Sequence, residues 1–226
     1  MQHSTAKVGK FSSSGEMQLG RPLLRDMTTG ICCGIVGRKK IIFMKMKSLT
    51  GNFLIASPVL DDPNFDHTVV LMCDHNDEGA FGLVVNRVLM GSLQPLLHNF
   101  DVTHSAVDMP VFFGGPVKPE QGYIIYTPFD RKYGSLKVAA NIGVTASREM
   151  LLDILSGGGP ERYLFALGSA GWSSHQLEDE LLTDSWLIAP CDRDIIFSLK
   201  VSERWRAAAR QIGVDFHRYS ERSGTA

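Results

Sequence analysis

The chain reads as an α+β fold, and three observations predict it. Strand-sized apolar runs bounded by Gly, Pro, Asn and Asp recur between Asn52 and Ala189. Apolar residues at helical spacing are confined to a few segments, around Met150, after Trp172 and around Trp205. The two kinds of segment do not alternate in the strict βαβ order of a parallel, doubly wound sheet. At 226 residues and 44% hydrophobic content, the chain can bury the core of one ordinary domain. No apolar run approaches the roughly 18 residues of a membrane-spanning helix, so a soluble protein without a membrane span is expected.

Residues 1–48 stand apart. They hold nine Lys/Arg and two Asp/Glu against fourteen and twenty-two in residues 49–226, so the arm carries +7 and the body −8. An acidic body repels a phosphate backbone, which disfavours direct DNA binding, although the arm alone could touch a polyanion. The apolar patch at residues 30–37 precedes the basic run Arg38-Lys39-Lys40, the reverse of a secretory signal. The arm is also compatible with an organelle transit peptide. The preferred reading is a disordered extension, or one spuriously included upstream of a start at Met44 or Met46. Cys32, Cys33, Cys73 and Cys191 form no CxxC pair and lack zinc-type histidine spacing, so a reducing, cytoplasmic setting and no metal are expected; no cofactor is expected either.

The folded domain is expected over residues 49–216, with 217–226 as a flexible tail. Asn52-Phe53-Leu54-Ile55-Ala56 is a strand ended by Pro58, and residues 61–66 are a turn cluster. Residues 69–87 predict a hairpin, with strands over 69–73 and 81–85 and a loop over 74–79 that is longer than a two-residue turn. Ser92 can cap a short helix that tolerates Pro95 in its first turn. Val111-Phe112-Phe113 and residues 122–126 are strands stopped by Gly114-Gly115-Pro116 and by Thr127-Pro128, and residues 136–140 add another. Thr145 or Ser147 caps a helix with Met150, Leu151 and Ile154 on one face, which residues 156–160 end. Residues 163–167 are a buried strand. Gly168-Ser169-Ala170-Gly171 then reads as a turn into Trp172 and a helix, where Ser173 and Gln176 suggest a capping box. Residues 186–189 form the last strand, and the final helix places Trp205, Ala208, Ala209 and Ile212 together before Gly213.

These segments together resemble the YqgE/AlgH family, mostly bacterial proteins without an established biochemical activity. The likeness is carried by Asn52-Phe53-Leu54-Ile55-Ala56, by Asp62-Pro63-Asn64-Phe65, and by Cys73-Asp74-His75-Asn76 with residues 79–86 of the hairpin. It continues through Phe113-Gly114-Gly115-Pro116-Val117, Ala166-Leu167-Gly168, Gly171-Trp172, Gln176-Leu177-Glu178, Trp186, Ala189-Pro190, Arg204-Trp205 and residues 212–215. Val88 and Ser57 depart from it, standing where Pro and Met are usual. The resemblance implies a single α+β domain with coiled, strongly bent mixed sheets and peripheral helices. It implies no catalytic assignment. Members often carry the label of transcriptional regulator of alginate synthesis, which reflects a genetic association more than a DNA-reading motif.

Each candidate for chemistry has a packing alternative. In a regular strand Cys73 and His75 share a face about 7 Å apart, so a thiolate–imidazole site is conceivable for a redox or hydrolytic enzyme. A buried structural thiol beside a turn histidine is the preferred reading. Residues 167–171 nearly form a nucleophile elbow, but Leu167 replaces the first glycine of G-x-S-x-G. Glu178, Asp179 and Glu180 suit a solvated helix face better than a metal site. The three tryptophans suit core packing better than base stacking. The function expected is therefore regulatory or interaction-based, through a protein or small ligand. The ligand surface is placed at the hairpin and the two glycine turns: Asn76, Asn86, Gly114, Gly115, Gly168, Gly171 and Trp172.

Overall fold

The computed structural model describes residues 48–216, so the expectations for residues 1–47 and for the tail at 217–226 lie outside them. The fold is α+β, a ten-stranded sheet with helices packed on it. Strand β1 (Asn52–Ala56) pairs antiparallel with both β10 (Trp186–Pro190) and β2 (Val69–Asn76). Both β1 and β2 carry near-continuous apolar runs rather than alternation, because both of their faces are covered. Strand β3 (Gly79–Val84) follows β2 in a hairpin, with Asn76 opposite Gly79.

The hairpin corrects one expectation. Its loop is the two residues Asp77-Glu78, because Asp74, His75 and Asn76 belong to β2. The side chain of Asn76 accepts the Glu78 amide at 2.8 Å, which closes the turn locally. The register slips between Met72 and Asp74, so Cys73 is the extra residue of a bulge.

Strand β9 (Arg162–Ser173) holds the sheet together. Its first half lies between β6 (Val117–Thr127), antiparallel, and β5 (Val111–Phe113), parallel; its second half pairs antiparallel with β3. Residues 168–171 are therefore strand, not the expected turn. Gly168 has φ +72° at the point where the strand changes partners, and Gly114 and Gly115 approach it there. A Cβ on Gly168 would lie 2.2 Å from the Gly115 carbonyl oxygen. Only glycine permits that backbone-to-backbone approach.

Beyond β6 come β8 (Ile142–Thr145) and the edge strand β7 (Leu136–Ala139), while β4 (Val88–Met90) pairs with β5. Strand β8 is short and goes beyond the strands expected from the sequence. On one side, α1 (Arg148–Leu155) and the 3₁₀ segment Gln94–Phe100 bury Met150, Leu151, Ile154 and Leu97 against Ile124, Tyr126 and Phe165. Ser147 caps α1 by accepting the Met150 amide at 3.3 Å, as its position predicts. On the other side, α3 (Arg193–Phe197) and α4 (Val201–Gln211) pack on Phe53, Ile55, Leu71 and Leu83. Trp205, Ala208 and Ala209 share the buried face of α4, as their spacing predicts. Helix α2 (Gln176–Leu182) begins later than expected, and Gln176 reaches back to the Ser173 amide at 3.1 Å, the half of a capping box that is formed.

Candidate functional site

The Cys73–His75 pair does not assemble as a nucleophile and base. Cys73 is fully buried in the main core, and its thiol donates to the Leu71 carbonyl at 3.4 Å. Burial pushes its pKa far above the ordinary thiol range, which keeps it protonated and inert. The ring of His75 is committed at both nitrogens. Nδ1 accepts the Leu49 amide at 3.0 Å, so Nε2 carries the proton and donates to Glu178 at 3.0 Å. A ring held so has no lone pair to offer a thiol, and its work is to tie Leu49 and α2 to β2.

The predicted ligand residues separate into several structural tasks. Gly114, Gly115 and Gly168 do come together, but as a backbone crossing, in which the Val84 amide bonds to Gly114 and the Gly114 amide to Leu167 at 2.8 and 2.7 Å. Asn86 accepts the Val69 amide at 2.7 Å and donates to the His67 carbonyl at 2.8 Å. Asn76 closes the hairpin turn, at the end of β3 opposite the glycine crossing, and Gly171 pairs with Phe81 inside the sheet.

Trp172 is buried beside Trp186 and Phe65, with the two indoles 5.9 Å apart and edge-on. Both indole N–H groups donate to one oxygen of Glu180, at 2.9 and 2.8 Å, while its other oxygen accepts from Gln176 at 2.9 Å. Glu180 is thus a hydrogen-bond hub and not part of a solvated face. Among the described residues, no three His, Cys, Asp or Glu side chains are grouped so that they could hold a metal ion.

Sequence reasoning did not single out the site that the fold builds. Phe112 from β5, Arg162 and Leu164 from β9, Ile196 and Phe197 from α3, and Arg204 from α4 line a cleft of about 370 Å³. Arg204 is only 6% exposed. Its Nε donates to the Leu199 carbonyl at 3.2 Å, its Nη1 to the Val85 carbonyl at 2.5 Å, and its guanidinium sits 5.4 Å from the Phe112 ring centre. Burial lowers its pKa to about 10, which leaves it cationic at neutral pH. Among the described residues, no carboxylate lies within ion-pair distance of it. Arg162 stands at the rim, donating to Ser198 at 2.8 Å and lying 3.7 Å from Glu161. The signal for Arg204 was available, because it precedes Ala208 by four residues and so shares the apolar face of α4.

Together these features define an α+β protein organised on one long strand shared between two halves of a sheet, with a cationic cleft beside that strand. The chain belongs to the AlgH-like family, DUF179, whose profile matches residues 53–217. A UPF0301 protein of Hahella chejuensis is 42% identical over 181 residues, 80% of this chain and 98% of the relative. Another from Dechloromonas aromatica is 41% identical over 182 residues, 79% of this chain and 98% of the relative. The solution structure of the AlgH protein from Pseudomonas aeruginosa superposes with a TM-score of 0.67 at 36% identity, covering 79% of this chain and 96% of that one. A crystal structure of a Corynebacterium diphtheriae protein shares the fold, with a TM-score of 0.60 at 17% identity over 76% of this chain and 91% of its own. The resemblance read from the sequence is therefore the right family. No helix among the described residues is long and apolar enough to cross a membrane.

Proposed function

We propose that this protein is a non-catalytic regulatory or interaction module of the cytoplasm. In this reading residues 49–216 act as a single domain with a strongly bent sheet, and they bind a small ligand or a protein group in the Arg204 cleft. The observation that carries the reading is a buried guanidinium held by two carbonyls, with no carboxylate partner among the described residues, on the wall of a cleft of mixed polar and apolar lining. A buried cation that lacks an anionic partner is costly, and an incoming anion would complete it.

A cysteine-dependent redox or hydrolytic enzyme draws no support from a buried, protonated Cys73. Direct DNA binding draws none from a body of charge −8. Native mass spectrometry of the full-length protein from its own cells tests the binding role. A stoichiometric small molecule or partner is expected. A bare protein whose melting temperature no metabolite or cell fraction raises would overturn the role.

A further inference from the structure

Resting on that binding role, we infer that the Arg204 cleft takes a small organic monocarboxylate with an apolar body. The lining carries two guanidinium groups, Arg162 and Arg204, and one carboxylate, Glu161, which leaves a single positive charge. One carboxylate neutralises that charge, whereas a phosphate dianion would leave excess negative charge beside Glu161 and the apolar side chains of the lining. The planar guanidinium fork matches a carboxylate, and two of the five Arg204 donors are already engaged. Those two bonds also hold the side chain in place, so little ordering is left to be done on binding.

Phe112, Leu164, Ile196 and Phe197 supply walls for the apolar body, and the volume of about 370 Å³ sits at the small end of ligand pockets. An apolar wall beside the ion pair raises its strength relative to water. Arg162, more exposed and already balanced by Glu161, acts at the entrance and contributes less than Arg204.

The test is titration of the uniformly ¹⁵N-labelled full-length protein with phenylacetate, its neutral analogue phenylacetamide, and inorganic phosphate. Phenylacetate is expected to move the amides of Phe112, Leu164, Ile196 and Phe197 together with the Arg204 Nε–H signal. It should bind about tenfold tighter than phenylacetamide, the range of one charge-assisted pair. Arg162→Gln, at an exposed site, should weaken phenylacetate by about threefold and leave phenylacetamide unchanged. Equal binding of acid and amide would overturn the carboxylate assignment, and phosphate binding as tightly as phenylacetate would overturn the apolar body. If none of the three moves these signals, the cleft is not the site. A ligand or partner recovered with the native protein would then still support the broader binding role, which separates the two failures.

Discussion

A Cβ built on Gly114 would stand 2.2 Å from the carbonyl oxygen of Gly168, so the chain just past β5 meets β9 there more closely than any side chain allows. The Gly114 amide bonds to Leu167 at 2.7 Å and its carbonyl accepts from Val84 at 2.8 Å, which locks β5, β9 and β3 at one point. Phe112 and Leu164, which both line the cleft, lie on β5 and β9 before this crossing.

Gly168→Ala should destabilise the protein by at least about 3 kcal/mol, combining a left-handed backbone with a direct clash. Gly171→Ala is the control, since its Cβ would meet only the Val117 side chain at 3.6 Å. Urea midpoints measure both. Similar losses for the two variants would contradict the role given to the crossing.

Glu180→Ala leaves two buried indole N–H groups without their common acceptor. A loss of about 2–3 kcal/mol is expected, with movement of the Trp172 and Trp186 indole signals. The neighbouring Asp179→Ala, on the exposed side of α2, should cost under about 1 kcal/mol.

His75→Ala removes the acceptor of the buried Leu49 amide. Stability should fall by about 1–3 kcal/mol, and exchange of the Leu49 amide should accelerate more than that of amides in β1. Unchanged protection at Leu49 would show that the ring does not anchor this segment.

The thiols make the fold sensitive to alkali. Burial pushes Cys191 up to about 12 and holds Cys73 higher still, whereas both ionise near the ordinary thiol range once unfolded. Between those limits the native state keeps protons that the unfolded chain releases. The stability is therefore intact below about pH 8.5 and declines as pH rises, by up to about 1.4 kcal/mol per pH unit for each thiol. Urea denaturation at pH 7.5 and pH 10 should show the loss, and Cys191→Ala should reduce it. Peptide mapping after iodoacetamide at pH 9 should find Cys73 unmodified in the native state; rapid alkylation would restore the nucleophile reading.

Much of the fold was legible where turn formers bracket an apolar run, as in β1, β5, β10, α1 and α4. The failures share a cause. Asp74 and Asn76 look like loop residues, yet β2 extends through them because β3 continues to pair as far as Gly79. Gly168 to Gly171 look like a turn, yet they stay in β9 because distant Gly114 and Gly115 fill the space a turn would need. The expected ligand residues carry no such local mark: Gly114 and Gly168 meet through their backbones, while Asn76 closes a turn at the far end of β3 from them.

By itself the sequence determined the family, the α+β class and the identity of most buried runs, because these depend on local periodicity, turn chemistry and extended likeness. Only the tertiary structure decided that Glu180 serves two tryptophans and that His75 anchors Leu49 rather than activating Cys73. It also decided that Arg204, with no carboxylate partner among the described residues, lines a cleft made by β5, β9, α3 and α4. Those outcomes depend on which groups distant in the chain reach one another, and on where charge loses its water. Neither leaves a periodic mark along the sequence.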